Sequence, residues 1–291
     1  MHGQERGLNW VALLGTKGGP AIRPGSAMPT ASLLSLDGRR IVVDCGLGVT
    51  RALTGQGMPL ADLSLIFVTH LHSDHYLELG PLLHTAWTAG LKHPVRVFGP
   101  AGLDRYWQGF LDSMRDDIAL RIADEGRPDL GGLVSLGVLD AGEVPAAPGL
   151  TVTALRNRHP PLVDSFALRF DGQTRSVVFS GDTAPHPPLA DFARGADLLV
   201  HEAMLEAALE ALVARVGNAD ARLMTHLRRS HSAAAAAASL AREAGVGALA
   251  LHHLIPADDP AFTEADWAAA VAPHWPGPFH LGRDGLVIPL D

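Results

Sequence analysis

One short run of residues constrains this chain more than any other part of its sequence. It reads Thr69-His70-Leu71-His72-Ser73-Asp74-His75 and directly follows a short apolar stretch. Side chains alternate along an extended segment, so His70 and His72 are expected to point to one side and share a metal ion. Asp74 and His75 lie just beyond, where the loop turns and can serve a second ion. The run therefore predicts a divalent metal centre, with two ions rather than one, at the end of a buried strand.

Composition places the chain among soluble globular proteins. It has 291 residues, of which 47% are hydrophobic and 19% charged, enough to bury a large core. Because the motifs described below span the whole length, we expect residues 1–291 to form one domain. The formal net charge is −8, and nucleic-acid affinity depends on clustered lysine and arginine. Nucleic acid is therefore not an expected partner.

Cysteine content and hydropathy bear on where the protein works. Cys45 is the only cysteine of the sequence, so no intrachain disulfide can form, which fits a reducing compartment. No apolar run approaches the length of a membrane span, and residues 10–14 are too short for a signal-peptide core. We expect a cytoplasmic protein with no membrane partner, and a processed secreted form stays open.

Apolar runs and turn signals predict two batches of strands, each followed by helices. Asp37-Gly38 between two apolar runs is a strong hairpin signal. The predicted strands are 8–14, 30–36, 39–43, 64–68, 95–98, 150–155, 165–170, 176–179, 198–200 and 248–251. The predicted helices are 50–54, 77–89, 103–123, 202–215 and 232–244, the last capped by Ser232 and ended by Gly245. This order predicts two packed sheets with helices outside.

Three further ligand candidates each follow a predicted strand. His159 precedes two prolines that stiffen its loop, Asp182 comes directly after strand 176–179, and His253 follows strand 248–251. A small carboxylate in such a position can bridge two cations, which two-metal sites hold about 3.5–4 Å apart. Taken singly, each of these residues fits an ordinary polar loop, and their weight as ligands comes from the set.

The order and spacing of these residues resemble the metallo-β-lactamase superfamily of metallohydrolases. The resemblance implies an α/β fold, a four-layer αβ/βα sandwich with its site at one edge between two sheets. It also implies the ligand sets. One ion would be held by His70, His72 and His159, the other by Asp74, His75 and His253, and Asp182 would bridge both.

Within the superfamily, the chain is most similar to the ribonuclease Z and arylsulfatase-like branch. The similarity rests on residues 43–46, 201–204, 231–233 and 251–254. In that branch the residues matching His201, Glu202 and His231 are linked to proton transfer and phosphate contacts. We carry Glu202 and His231 over as catalytic candidates beside Asp74. The competing interpretation is a helix-entry network, since Glu favours a first turn and His231 can help to cap. The branch also suggests a homodimer, which no sequence feature specifies.

The remaining polar residues receive simpler interpretations. Asp44 either accepts a hydrogen bond from a ligand imidazole or caps the turn before Gly46. The histidines left without a role are His84, His93, His186, His226, His252, His274 and His280.

The ligand set predicts hydrolysis by an activated water. Two ions would acidify a bridging water to hydroxide, which Asp74 would orient, and His231, steadied by Glu202, would protonate the leaving group. A histidine-rich ligand set favours Zn²⁺, while Mn²⁺ and iron stay open because imidazole and carboxylate accept several metals.

The substrate is less constrained. Ribonuclease Z enzymes typically carry a long basic arm between the positions matching His159 and Asp182, whereas here 160–181 is short and its only cations are Arg169 and Arg175. We therefore expect a small-molecule ester substrate, a phosphodiester or a sulfate ester, in a pocket shaped by residues 103–149. The alternatives are a lactone or other carboxylic ester, RNA 3′ processing, and di-iron redox chemistry.

Overall fold

Two batches of strands organise the fold, as the computed structural model of the protein describes it for residues 7–216 and 221–290. In chain order these strands are β1 (Trp10–Gly15), β2 (Ala31–Leu36), β3 (Arg39–Cys45), β4 (Leu65–Phe67), β5 (Val95–Gly99), β6 (Val134–Val138), β7 (Gly142–Ala147), β8 (Leu150–Arg156), β9 (Phe166–Asp171), β10 (Ser176–Phe179), β11 (Leu198–Met204), β12 (Ala248–Ile255), β13 (Phe279–Leu281) and β14 (Leu286–Pro289). Residues 1–6, the polar start of the chain that precedes the apolar residues 10–14, lie outside this description.

Helices connect the strands. They are α1 (Val49–Gly55), α2 (Ser73–Tyr76), α3 (Leu79–Thr88), α4 (Leu103–Ser113), α5 (Arg115–Glu125), α6 (Leu130–Leu133), α7 (Pro188–Phe192), α8 (Leu209–Arg215), α9 (Ala221–Ser230), α10 (Ala234–Ala244) and α11 (Glu264–Val271), with 3₁₀ turns at Leu60–Asp62 and Glu206–Ala208. Within this described part of the chain, none of the helices is long and apolar enough to cross a membrane.

The strands pair into two mixed sheets. The first has the order β14-β1-β2-β3-β4-β5-β6 and the second the order β13-β12-β11-β10-β9-β8-β7. In the first sheet β3, β4, β5 and β6 are parallel, and in the second β10, β11, β12 and β13 are parallel. The predicted hairpin is confirmed: Leu36 pairs with Arg39, and Asp37 and Gly38 have φ of 50° and 76°, the left-handed conformation that a two-residue turn needs.

Alternating side chains divide the interior into layers. Trp10, Ala12 and Leu14 of β1 join the apolar cluster under α1, α3 and α4. Val11 and Leu13 point the other way, into a second cluster that both sheets share. A third cluster joins the second sheet to α7, α10 and α11. The layer order is therefore helix, sheet, sheet, helix, which confirms the αβ/βα sandwich.

Three of the predicted boundaries are wrong, and each error has a local cause. The predicted helix 202–215 begins only at Leu209, because Ala203 and Met204 are buried and continue the parallel ladder with β12. The ladder outweighs the helix propensity of this alanine- and glutamate-rich stretch. Ser232 does not cap α10: its hydroxyl donates to the Thr183 carbonyl oxygen, and the N-cap is Ala233. The helix predicted at 103–123 is divided into α4 and α5, because Met114 between them has a φ of −100° and a ψ of 8°.

Candidate metal centre

The ligand candidates converge where strands of both sheets end. His70 and the residues after it follow β4, His159 follows β8, and Asp182 follows β10. Loops after the carboxyl ends of parallel strands meet at one edge of a sheet, where α/β proteins bind their ligands. Because the two sheets face each other, these loops bring histidines from the first sheet against a carboxylate from the second.

The first group of ligand atoms belongs to three imidazoles. Nδ1 of His72 lies 3.2 Å from Nε2 of His70 and 3.0 Å from Nε2 of His159. Nitrogens that share one tetrahedral Zn²⁺ at 2.0–2.1 Å lie about 3.3 Å apart. The predicted same-side placement of His70 and His72 is confirmed, and the spacing of all three nitrogens suits a common ion.

The second group lies beside the first. Nε2 of His253 is 3.3 Å from Oδ2 of Asp74, and Nε2 of His75 is 3.7 Å from the same oxygen. All three side chains are buried. Asp74 is fixed by a second contact, since the backbone N–H of Gly19 donates to its Oδ2 at 2.7 Å.

Asp182 lies between the two groups. Its Oδ2 is 3.6 Å from Nε2 of His70 and 3.8 Å from Nε2 of His159 on one side. On the other it is 3.5 Å from Nε2 of His75 and 3.1 Å from Nε2 of His253. Burial alone would raise the pKa of Asp182, but the surrounding imidazoles hold it well below its usual range. One buried, ionised carboxylate thus faces both imidazole groups.

The chemistry of this cluster fits divalent cations. Among the described residues, Nε2 of His75 and Oδ1 of Asp182 are buried without a hydrogen-bond partner, which is costly unless another group satisfies them. Four carboxylates are buried around the site, those of Asp44, Asp74, Asp182 and Glu202. Two groups of side chains each place their donor atoms within 4.8 Å of one another. One group is His70, His72, His159 and Asp182, and the other is Asp74, His75 and His253. The cluster is therefore compatible with a dinuclear metal site.

A further set of contacts orients the imidazoles of both groups. Nδ1 of His159 donates to the Ser230 carbonyl oxygen at 2.8 Å, and Nδ1 of His70 lies 3.1 Å from the Thr69 hydroxyl. Nδ1 of His75 donates to Asp44 at 2.8 Å. Each contact leaves Nε2 facing the centre. Burial is the main cause that lowers the pKa of His70 and His159, and it lowers the pKa of His72 to about 4. These three imidazoles are therefore neutral and able to coordinate.

His253 reaches the centre through a bulge in β12. The strand extends beyond the predicted 248–251, and its register with β11 shifts so that His252 pairs with Glu202 while Leu254 pairs with Ala203. The extra residue, His253, has a φ of 46°. A bulge re-aims a side chain that regular alternation would send elsewhere. His252 instead turns away, with Nε2 2.9 Å from the Gly15 carbonyl oxygen.

Glu202 and His231 form a buried pair beside the centre. Oε1 of Glu202 accepts from the backbone N–H groups of Thr183 and Ser232, both at 3.1 Å, and its Oε2 lies 3.3 Å from Nδ1 of His231. Burial lowers the pKa of His231, but Glu202 and Asp182 outweigh it and raise the pKa to about 9. The helix-entry interpretation of Glu202 is wrong, because this residue lies in β11. His201 is buried apart, with Nδ1 against the Glu202 carbonyl oxygen.

Sequence reasoning missed several residues at the mouth of the site. A cavity of about 400 Å³ opens over the centre, and Lys17, Arg23 and His226 all line it. Lys17 is buried, and its Nζ donates to the carbonyl oxygens of Gly18 and Gly19. The expectation that residues 103–149 shape the pocket is wrong, because the lining comes from the loop after β1 and from α8 and α9. The helical spacing of Leu223, His226 and Leu227 was a usable signal.

Comparison with known proteins agrees with this geometry. The family described as "Anti-Pycsar protein Apyc1" matches residues 11–231. A ribonuclease Z from Mycobacterium bovis (strain BCG / Pasteur 1173P2) is 31% identical over 277 residues, which cover 94% of this chain and 95% of the relative. The metallo-β-lactamase fold protein YhfI from Bacillus subtilis superposes with a TM-score of 0.72 at 21% identity, covering 96% of this chain and 98% of that one. The short form of human tRNase Z gives a TM-score of 0.68 at 21% identity, covering 97% and 99%.

Fold and site together define a metal-dependent hydrolase of the metallo-β-lactamase superfamily. Within that superfamily the chain is ribonuclease Z-like, and it belongs to the family described as the anti-Pycsar protein Apyc1.

Proposed function

We propose that this protein cleaves a small phosphodiester or sulfate ester with the help of two divalent metal ions, in the first place Zn²⁺. The observation that carries the proposal is the position of Asp182, whose Oδ2 lies within 3.8 Å of imidazole nitrogens from both groups. A carboxylate placed between two cation sites can bridge two ions about 3.5–4 Å apart, the spacing that two-metal hydrolases use. We further propose that residues 1–291 work as one domain, since both sheets share an interior.

Each ion has its own set of ligands in this proposal. His70, His72 and His159 hold one, Asp74, His75 and His253 hold the other, and Asp182 is common to both. The chemistry that such ions supply when bound is the activation of water and the stabilisation of negative charge on the ester oxygens. A histidine-rich set with carboxylates and no thiolate suits Zn²⁺ and also accepts Mn²⁺ or iron.

Asp74 has a second task in the proposal. Its Oδ2 accepts from Gly19 and faces His253, which fixes the carboxylate plane. The side chain also lines the cavity. From this position Asp74 orients the attacking water toward the ester by accepting a hydrogen bond from it.

His231 is the proposed proton donor to the leaving group. It lines the cavity next to the metal centre, on the side of Glu202. Two backbone N–H groups fix Glu202, so its carboxylate can hold the imidazole in one orientation. In this assignment His231 is catalytic, whereas Glu202 is a positioning residue that acts through His231.

The size of the cavity supports a small substrate. About 400 Å³ matches the lower range of small-molecule sites. The stretch 160–181 contains β9, β10 and their short connections, with Arg169 paired to Asp171 and Arg175 paired to Asp197. Both arginines already have carboxylate partners within the sheet, which argues against a basic arm for RNA in this stretch.

RNA 3′ processing is a second candidate, and a specific observation favours it. The M. bovis relative, which matches nearly the whole chain, is a ribonuclease Z. This relationship argues against the expectation that nucleic acid is not a partner, and RNA therefore has to be tested beside small esters.

The deciding experiment compares substrates on the zinc-loaded protein. A nitrophenyl phosphodiester, the matched nitrophenyl sulfate, a lactone and a precursor transfer RNA are assayed beside the Asp182→Ala variant. We expect the phosphodiester or the sulfate to be cleaved with a clear preference, and the variant to be inactive. Preference for RNA would support the second candidate. Preference for the lactone, or no turnover with any of the four substrates, would contradict the proposal and direct attention to the metal's identity and to redox chemistry.

A further inference from the structure

The walls of the cavity differ in chemistry from its floor. The floor belongs to the metal centre and carries His72, Asp74, Asp182, His231 and His253. One side wall, here called the apolar wall, consists of Leu212, Val216, Leu223, Leu227 and Ile255. It is built from the C-terminal end of α8 and the residue after it, one face of α9, and the last residue of β12. The other side comes from the loop after β1, including Lys17 and Arg23.

The protein's own side chains cover only part of the apolar wall. Leu227 and Ile255 are buried in a small cluster between α8, α9 and β12, and Leu212 and Leu223 pack against it while staying half-buried. Their remaining surface faces the cavity above the metal centre. A ligand that covers this surface removes apolar area from water, which favours an apolar group at this position.

His226 adds a polar group to the same helix face. Leu223, His226, Leu227 and Ser230 are spaced at i, i+3, i+4 and i+7 along α9, so they share one face. The Ser230 hydroxyl donates its proton to the Pro160 carbonyl oxygen at 2.6 Å. It can therefore only accept from Nδ1 of His226, which lies 3.4 Å away. In the neutral ring this leaves Nε2 as an acceptor, and no described residue donates to it.

We propose that the apolar wall and His226 form a specificity subsite for the organic substituent of the substrate. This inference rests on the proposed function and adds the substrate's chemistry. The substituent is an apolar group that lies on the wall and carries a hydrogen-bond donor toward Nε2 of His226. The ester is held at the floor, so one molecule spans the metal centre and the subsite.

Binding of small phosphonates tests the subsite without relying on turnover. Phenylphosphonate and methylphosphonate are titrated calorimetrically into the zinc-loaded protein. We expect phenylphosphonate to bind about tenfold more tightly, the gain that burying much of a ring gives. Leu223→Ala should reduce this preference about threefold, and Leu212→Ala combined with Leu223→Ala should reduce it further. Leu120→Ala, at an exposed leucine of α5, is the matched control and should leave the preference intact.

The role of His226 is tested with ring hydroxyls. We expect 3-hydroxy- or 4-hydroxyphenylphosphonate to bind more tightly than phenylphosphonate. His226→Phe keeps a flat ring but removes the acceptor, so it should abolish only this extra gain. If neither isomer binds more tightly to the wild-type protein, the role of His226 is wrong.

Two outcomes separate this inference from the proposed function. Equal affinity for phenyl- and methylphosphonate, together with efficient cleavage of nitrophenyl esters, would overturn the subsite and leave the proposed function standing. A strong phenyl preference that Leu223→Ala weakens, in a protein that hydrolyses no ester, would support the subsite and contradict the proposed function. The kinetic form of the test compares phenyl and methyl nitrophenyl phosphodiesters, where the subsite predicts a lower KM for the phenyl ester.

Discussion

Oδ2 of Asp44 accepts a hydrogen bond from Nδ1 of His75 at 2.8 Å, and this contact decides which face the imidazole shows to the metal centre. A carboxylate can only accept, so Nδ1 carries a proton, and Nε2 is the nitrogen that faces Asp74 and Asp182 and would coordinate a metal ion. Asp44 has a φ of 63° at the end of β3, and its Oδ1 accepts from the Thr69 backbone N–H. Asp44 therefore adopts the left-handed backbone conformation at the position from which its carboxylate orients His75.

Replacement of this carboxylate by an amide tests that relationship. In Asp44→Asn the amide N–H would face Nδ1–H of His75, which favours the other tautomer and places a proton on the coordinating nitrogen. We expect the affinity for the second zinc ion to fall about 10- to 100-fold, measured by competition with a chelator. The matched control is Asp37→Asn, the same change at a residue of the β2–β3 turn that also has a left-handed backbone conformation. Unchanged affinity in Asp44→Asn would show that Asp44 does not act on the metal.

Asp182→Ala addresses the shared ligand directly. Because the Asp182 carboxylate faces both imidazole groups, its loss should remove most bound metal and nearly all activity. Metal content is measured by mass spectrometry after dialysis, and folding by circular dichroism. Asp117→Ala, at a half-buried aspartate whose Oδ2 lies 2.9 Å from Nε2 of His84, removes a carboxylate from another histidine and should leave metal content unchanged. A fully metallated, active Asp182→Ala protein would contradict the bridging assignment.

Local sequence signals predicted much of the fold. The Asp37-Gly38 turn, the strand before His70 and the end of α10 at Gly245 all depend on short-range physics, and the structure has them. The ligand candidates were found for a related reason, since each comes directly after an apolar run that is easy to recognise, even though the strand that contains His253 continues to Ile255. Such signals need no knowledge of which strands are neighbours.

What the sequence did not reveal depends on contacts between distant segments. Glu202 lies in a strand because β12 extends the ladder past it, and His253 turns inward because that ladder contains a bulge. The cavity was misplaced for the same reason: its walls combine a loop near Lys17 with α9, a helix that was not predicted. His226 was left without a role because the cavity that it lines joins α9 to the loop of His72, some 150 residues away in the sequence.

Gly181 offers a prediction about stability. Its φ is 56°, and a Cβ at this position would lie 2.4 Å from the Phe166 carbonyl oxygen. Gly181→Ala should lower the free energy of unfolding by about 3 kcal/mol, combining backbone strain with a clash against rigid backbone. Gly126→Ala is the control, since Gly126 has a φ of 64° with no atom within 4 Å. It should lose only about 1 kcal/mol. Urea denaturation measures both, and equal losses would show that the Phe166 contact relaxes freely.

His231 provides the sharpest test of the proposed chemistry, because a proton donor matters in proportion to the basicity of the leaving group. Its side chain faces the cavity, while Glu202 lies behind it at 3.3 Å and is itself held by two backbone N–H groups. His231→Ala should slow esters with alkoxide leaving groups about 100-fold or more, the usual contribution of general acid catalysis. Nitrophenolate leaves without a proton, so nitrophenyl esters should be slowed much less.

The controls for this test separate proton transfer from structural damage. Glu202→Gln should give the same pattern more weakly, since it disturbs only the orientation of the imidazole. His84→Ala removes a histidine that also faces a carboxylate, Asp117, away from the cavity, and should leave both rates unchanged. Rates are measured at matched metal content, because the His231 Nδ1 lies 3.9 Å from Asp182 and its loss can affect occupancy. If His231→Ala slows both classes of ester equally, the residue holds the site together and does not donate the proton.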